Sequence, residues 1–495
     1  MSKLTCAEQA SFLDQFHCYM NALSSPMWEY LVWVLVGVGL YFTLFTGFVQ
    51  VRLFRQSVRA MLSGRQKNGE HGITAFQAFV TGLASRVGTG NIAGVAIAIS
   101  TGGPGAVFWM WLTALIGMSS AFAESTLAQL FKVRDTENGQ FRGGPAYYIT
   151  HGLKQKWLAI LFAISLIFCF GFVFNAIQSN TIVLAIQSAA NLTAEHGVSE
   201  EQWAVYKHLI GAILLIITAP IIFGGIKRVA RISEALVPVM ALIYLIIAVY
   251  VVFVNASEIP RIIGLILDDA FSFKAAGGGL LGGLVSQAML LGIKRGLFSN
   301  EAGMGSAPNA AAAADVKHPV SQGMIQMLGV FVDTIIVCSC TAFIILLAQL
   351  PADHGLDGIQ LTQAALENHI GSWGQTLLAV ILFMFCFSSV IGNYAYAESN
   401  IQFIKNNRVL MVVFRMLVLG FVYFGAVNKS SLIWDMGDFT MAIMSFINLV
   451  AIVLLSKWVF TLLNDYVKQL TAGKEPKFKA ENYPALKDKI NSTIW

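Results

Sequence analysis

The sequence predicts an all-α polytopic membrane protein of eleven transmembrane helices, built as a five-plus-five inverted repeat behind one extra helix. Three observations carry that expectation. The chain is 56% hydrophobic and only 12% charged, with a mean hydropathy of +0.67, which excludes disordered and ordinary soluble folds. Eleven apolar stretches are long enough to cross a bilayer, each needing about 20 residues. Two of these stretches, one opening each half of the chain, are rich in glycine and carry polar residues at their midpoints.

The eleven spans are placed at 27–50, 74–101, 104–131, 157–190, 207–223, 234–255, 277–299, 322–350, 375–400, 408–427 and 437–463. Residues 1–26 form a mixed polar tail that predicts no cleavable signal peptide, so span 27–50 serves as the first anchor. The basic amphipathic loop 51–73 is expected on the membrane surface. The starts of spans two to six and seven to eleven align at offsets between 201 and 218 residues. An odd number of helices per unit makes the second unit enter from the opposite side. Residues 74–255 and 277–463 are therefore expected to be inverted repeats, with 464–495 a C-terminal tail.

Charge sets the expected orientation. The loops after the first, third, fifth, seventh and ninth spans, with the C-terminal tail, hold 25 of the 32 Lys and Arg. By the positive-inside rule the N-terminus is expected outside and the C-terminus in the cytoplasm. The expected location is a plasma membrane, the inner membrane of a bacterium. The net charge of +5 follows from this asymmetry and is no sign of nucleic-acid binding. Cys6 and Cys18 lie in the external tail, where a disulfide is permitted, while Cys169, Cys338, Cys340 and Cys386 read as packing residues within spans.

The second span carries the chemistry. Between Thr81 and Gly105 it holds seven glycines around Arg86-Val87-Gly88-Thr89-Gly90-Asn91. Glycine costs a helix about 1 kcal/mol relative to alanine, so the cluster reads as a helix broken inside the bilayer. Backbone freed at that depth needs protein, water, an ion or a ligand, which is how secondary transporters build their sites. The alternative is a small-residue packing surface, but packing alone does not call for Ser85, Thr89 and Asn91. The seventh span is expected to repeat the theme through Gly277-Gly278-Gly279 and Gly282 to Gln287.

Intramembrane charges are functional candidates because they are costly to insert. Asp333 reads as a cation ligand, a proton site or a hydrogen-bonded helix contact. Arg86 is expected either on a substrate carboxylate or, the favoured reading, paired with Glu124 or Glu301 in a gate network. Glu124, Glu301, Glu398 and Arg415 lie nearer helix ends, where a gate-forming salt-bridge network and merely snorkelled charges are the two readings. No histidine falls in a span interior, His208 at the start of span 207–223 coming closest, and no phosphate-binding loop is present. Those absences argue against haem or zinc chemistry, an ATP-driven pump and an intramembrane hydrolase, so no enzyme and no cofactor is expected.

The runs GTGNIAGVA, GGPGAVFWMWLTALIG (Gly102 to Gly117), GGPAYY (Gly143 to Tyr148) and KRGLFSNEAGMGSAP (Lys294 to Pro308) resemble the alanine or glycine:cation symporter family over nearly the whole chain. The resemblance implies a LeuT-type fold with one helix in front, carrying alanine or glycine inward with sodium or protons. It implies substrate contacts from Gly88, Thr89, Gly90, Gln178, Gly282, Gly283, Ser286 and Gln287, with Phe172 or Phe174 filling the pocket. It also implies a sodium site from the carbonyls of Ala84 and Val87 with Ser388 and Ser389, and Asn91 and Asp333 as ligands of a second cation. Arg86 is expected within that second site, limiting transport to one sodium. Where the family continues with glycine-tryptophan, this chain reads Gly392-Asn393, which puts exclusive preference for alanine in doubt. The implied partners are a small neutral amino acid, sodium and the lipid bilayer, with a monomer sufficient. A proton-coupled carrier using Asp333 and a channel or receptor are the rivals; neither tail is large enough to be a receptor's output domain.

Overall fold

The structure is a computed structural model. It describes residues 6, 12–65, 72–135, 139–192, 197–272, 285–351, 355–486, 489–491 and 494–495, without the side chains of residues 12, 13, 225–227 and 230. Seventeen helices matter for the site: α1 (Phe12–Phe45), α2 (Phe54–Ser63), α3 (Ala75–Arg86), α4 (Gly90–Gly102), α5 (Ala106–Leu130), α6 (Lys156–Ala189), α7 (Glu200–Ile222), α8 (Gly225–Val254), α9 (Ile259–Ala270), α10 (Gln287–Asn300), α11 (Pro308–Ala312), α12 (Pro319–Leu347), α13 (Gly358–Ile370), α14 (Trp373–Ile404), α15 (Arg408–Val427), α16 (Ser430–Leu454) and α17 (Ser456–Thr471).

Nine helices among the described residues are long and apolar enough to cross a membrane: α1, α5, α6, α7, α8, α12, α14, α15 and α16. The pair α3 and α4, bent by 51° at its break, makes a tenth. The expected span 277–299 is described only from residue 285 onward, where α10 is 14 residues long. The expected opening glycines of that span, Gly277 to Gly279, lie outside the described residues.

Local chemistry explains where the broken helix starts and stops. A capping box, Thr74 with Gln77, satisfies the first amides of α3. At the other end Val87 turns extended (φ −77°, ψ 95°), and the chain resumes as a wide π turn, Gly90–Gly94, before tightening into α4. Wide turns recur in α6 at Ile167–Val173 and in α12 at Phe331–Cys338, next to the same region.

Buried residues form one continuous core, into which α3, α4, α5, α10 and α14 all contribute. The outward faces of α7, α8 and α15 expose large apolar side chains, Ile216 at 68% and Phe253 at 80% among them. A surface of that kind suits lipid contact rather than water. At one end of the bundle, Ile73 pairs with Ala314 as an isolated parallel bridge, tying the start of α3 to the loop after α11. Cys6 and Cys18 are joined in a disulfide beside the N-terminal end of α1.

Candidate functional site

The break between α3 and α4 meets a second break, and the two lie against each other. α10 stops at Asn300 because Glu301 takes a left-handed conformation (φ 59°), and Gly303 and Gly305 follow at positive φ before α11 begins. Those two positions demand glycine. An interruption therefore lies at 301–307, after the described part of the apolar segment; of the expected stretch Gly277 to Gln287, only residues 285–287 are described. Ser286 is the N-cap of α10 and Gln287 its first residue, packed near Gly102 at the far end of α4. Fourteen residues of helix, about 20 Å, separate them from the break. The structure thus removes Ser286 and Gln287 from the pocket, and Gly282 and Gly283 lie outside the described residues.

Glu124 holds the second break. Its carboxylate accepts from the amides of Gly303 (3.3 Å) and Gly305 (3.1 Å) and from Nδ2 of Asn448 (2.7 Å). Three donors satisfy a fully buried carboxylate without any cation. Glu301 accepts from the hydroxyls of Ser85 (2.7 Å) and Ser306 (2.6 Å). Neither glutamate comes within ion-pair distance of Arg86, so the expected pairing does not form. Arg86 is 2% exposed and donates only to the carbonyl of Gln326 (3.3 Å); its Nε and Nη2 find no partner among the described residues.

Around the first break the predicted groups converge. Oε1 of Gln178 accepts from both the amide (3.0 Å) and the hydroxyl (2.5 Å) of Thr89. The amide of Gly88 donates to Asn91 Oδ1 (2.9 Å). A Cβ added at Gly88 would collide with Oγ of Ser389 and stand 2.9 Å from Gln178 Oε1. Phe298 covers Gly90 and stacks on Phe174 at 4.6 Å. Of the two phenylalanines expected as fillers, Phe174 lies against Phe298, while Phe172 stacks on Phe421.

The serines of α14 reach the carbonyls of α3. Ser389 Oγ lies 3.1 Å from the oxygen of Ala84 and 3.2 Å from that of Val87, and Ser388 Oγ lies 3.3 Å from Ala84. Both serines are fully buried. Four hard oxygens from two helices, with no nitrogen or thiolate among them, form a donor set suited to an alkali cation. Asn91 and Asp333 also meet: Nδ2 donates to Asp333 Oδ1 at 2.6 Å, while Ser299 and Thr334 each donate to Oδ2 at 2.8 Å. No hydrogen bond or ion pair joins Arg86 to that carboxylate among the described residues. Asn393, expected to alter the pocket wall, bonds instead to Ser85 and Asn175 on the α3 side of the break.

The sequence reading missed a charge cluster. Lys294 and Arg295, counted there among the loop cations, lie inside α10 and converge on Asp438 of α16. Asp438 stands near the start of an apolar span, and that position was the available signal. Arg415 pairs with Glu398 at 3.1 Å near the ends of α15 and α14.

Residues 13–480 match the model of the sodium:alanine symporter family. An uncharacterized transporter of Haemophilus influenzae is 58% identical over 96% of this chain and 95% of its own length. The amino-acid carrier protein AlsT of Bacillus subtilis is 49% identical over 97% of this chain and 98% of its own. The probable sodium/glutamine symporter GlnT of the same organism is 47% identical over 90% of each chain.

Proposed function

From a chain that belongs to the sodium:alanine symporter family, a family of transporters rather than enzymes, we propose a symporter that carries alanine or glycine inward with sodium by alternating access. The observation that supports it most is the meeting of Ser388 and Ser389 with the Ala84 and Val87 carbonyls, directly beside Gly88 and Thr89. The N-terminal end of α4 carries the positive end of a half-helix dipole and suits a substrate carboxylate; the C-terminal end of α10 carries the negative end and suits an ammonium. A substrate side chain no larger than a hydrogen or a methyl group would suit the glycines and the Phe298 cover. Sodium bridges α3 and α14, so its binding favours the arrangement in which those helices touch. Its release to the cytoplasm frees them. A ligand shifts such an equilibrium only through its differential affinity for the two states.

The same reading takes eleven spans in two inverted repeats, the N-terminus outside, the C-terminus in the cytoplasm, and a monomer as the working unit. Uptake of labelled alanine into proteoliposomes under a sodium gradient, against a proton gradient of equal size, tests it. Uptake driven by the proton gradient alone overturns sodium coupling. The relative named for glutamine supplies a second substrate reading, and competition by glycine, serine and glutamine against alanine uptake separates the two.

A further inference from the structure

Phe298 also packs against Trp434, and Trp434 against Arg295. The ring of Trp434 lies 4.8 Å from that of Phe298, and the guanidinium of Arg295 sits 4.6 Å over Trp434. Arg295 is held there by a two-pronged bond to Asp438, Nη1 to Oδ1 at 3.0 Å and Nη2 to Oδ2 at 2.8 Å. The pair joins α10 to α16 and is almost fully buried, Arg295 at 5% and Asp438 at 1% exposure. Beyond it opens a cavity of about 420 Å³, floored by Ala93, Arg295 and Trp434 and bordered by Ser430 and Asp357. Between that cavity and Gly90 beside Thr89 thus stand two aromatic rings, Phe298 and Trp434, and the ion pair of Arg295 with Asp438.

Asp438 is also held from outside the expected repeat. Trp28 of α1, 1% exposed, donates its indole Nε1–H to the backbone carbonyl of Asp438 at 3.1 Å. Lys294, 2.5 Å from Asp438 Oδ2, lies over the ring of the same Trp28 at 5.6 Å. Farther along α1, His17 and Asn21 reach Asp435, one turn before Asp438. Helix α1 therefore fixes the end of α16 that carries the acceptor.

We propose that the Arg295–Asp438 pair seated on Trp434 is the gate between the outer cavity and the central pocket, and that Trp28 is the positioning residue that sets Asp438 for it. This rests on the transport reading above. Bidentate Arg–carboxylate geometry is directional, so a small displacement of α16 breaks both bonds together and gives the closure two discrete states. The indole of Trp28 limits that displacement.

The reporter is the native Cys386, whose sulfur lies 3.2 Å from Thr89 Oγ1 beneath the partition. Its modification by a charged, membrane-impermeant thiol reagent added outside is read by mass spectrometry, in sodium, with and without amino acid. In the parent, alanine is expected to slow modification at least about tenfold. Asp438→Asn should lose that protection and lower uptake about tenfold, while equilibrium binding of labelled alanine changes less than about threefold. Asp438→Glu, which keeps the charge, should retain part of the protection. Trp28→Phe keeps the ring and loses the donor; it should weaken protection about two- to fivefold at unchanged thermal stability, and it stands in if Asp438→Asn fails to fold. Normal protection in Trp28→Phe overturns the positioning role. Parallel loss of binding and uptake in Asp438→Asn, with protection intact in Trp28→Phe, overturns the gate. Glutamine protecting the parent where alanine does not would move the substrate assignment and leave the gate standing; protection by no amino acid in the panel would remove the gate.

Discussion

Gly90 and Phe298 bring the two broken helices into contact: a Cβ built on Gly90 would stand 2.9 Å from Cδ1 of Phe298 and 3.0 Å from Cα of Ser299. The neighbour at Ser299 is backbone, which cannot swing aside as a flexible side chain does. Gly90→Ala should therefore push α4 and α10 apart at the pocket itself. Overpacking of this kind costs about 1–3 kcal/mol, so the variant should still fold. Uptake of alanine is expected to fall at least about tenfold with the protein inserted at normal levels. Parent-like uptake in Gly90→Ala would show that the two breaks do not enclose the substrate.

The sodium assignment predicts a different signature. Replacing Ser388 and Ser389 by alanine removes two of four converging oxygens without altering the carbonyls of Ala84 and Val87. At about 1 kcal/mol per lost polar contact, the sodium concentration for half-maximal uptake should rise about fivefold or more. The alanine dependence at saturating sodium should move much less. Sodium titration of uptake in vesicles decides it, and an unchanged midpoint in the double variant would remove α14 from the site.

Much of this site was legible because glycine and buried polar residues are unusual in apolar spans. The run at 87–91 announced the break after Arg86, and the family resemblance pointed to Ser388 and Ser389, whose hydroxyls stand beside the Ala84 and Val87 carbonyls. The interruption at 301–307 was not read from the sequence for a physical reason. Gly277 to Gly283 offered the denser glycine run, whereas helix termination at 301–307 depends on a left-handed Glu301 and on Glu124 holding two amides of the following loop. Tertiary donors and acceptors of that sort leave no local signature. Asp438 did carry a local signal, a charge near the start of an apolar span, but its partners Trp28 and Arg295 are remote in sequence.

Outside the membrane-spanning segments, His318 makes the docking of the C-terminal segment sensitive to acid. It is fully buried between Tyr466 and Phe478, with Nε2 3.1 Å from Asp465. Burial pushes its pKa down from 6.5 to about 4, outweighing the upward pull of Asp465. A folded pKa below the unfolded one means that the folded state binds fewer protons in this window. Stability contributed by neutral His318 is thus present above pH 6.5 and is lost as pH falls toward 4, by up to about 3 kcal/mol. Limited proteolysis of residues 474–495 should accelerate across that window in the parent. His318→Gln, which cannot charge, should flatten the profile. A parent profile flat from pH 7 to 4 would count against this account.

Arg86 and Glu124 separate two ways of holding buried charge. If they formed an ion pair, removing both would recover part of the damage done by removing one. The structure gives them different tasks: Arg86 reaches only the carbonyl of Gln326, while Glu124 holds the amides of Gly303 and Gly305 and the amide group of Asn448. Glu124→Gln replaces one acceptor oxygen by a donor facing a backbone N–H, which leaves a buried amide unsatisfied at about 1–3 kcal/mol. It should lower the melting temperature by several degrees on its own. Added to Arg86→Ala, it should deepen the loss of stability and of alanine uptake. Thermal unfolding of the parent, the two single variants and the double variant forms the cycle that reads this. Recovery in the double variant would mean that the two residues neutralise each other during the transport cycle, and the loop-holding role assigned to Glu124 would have to be abandoned.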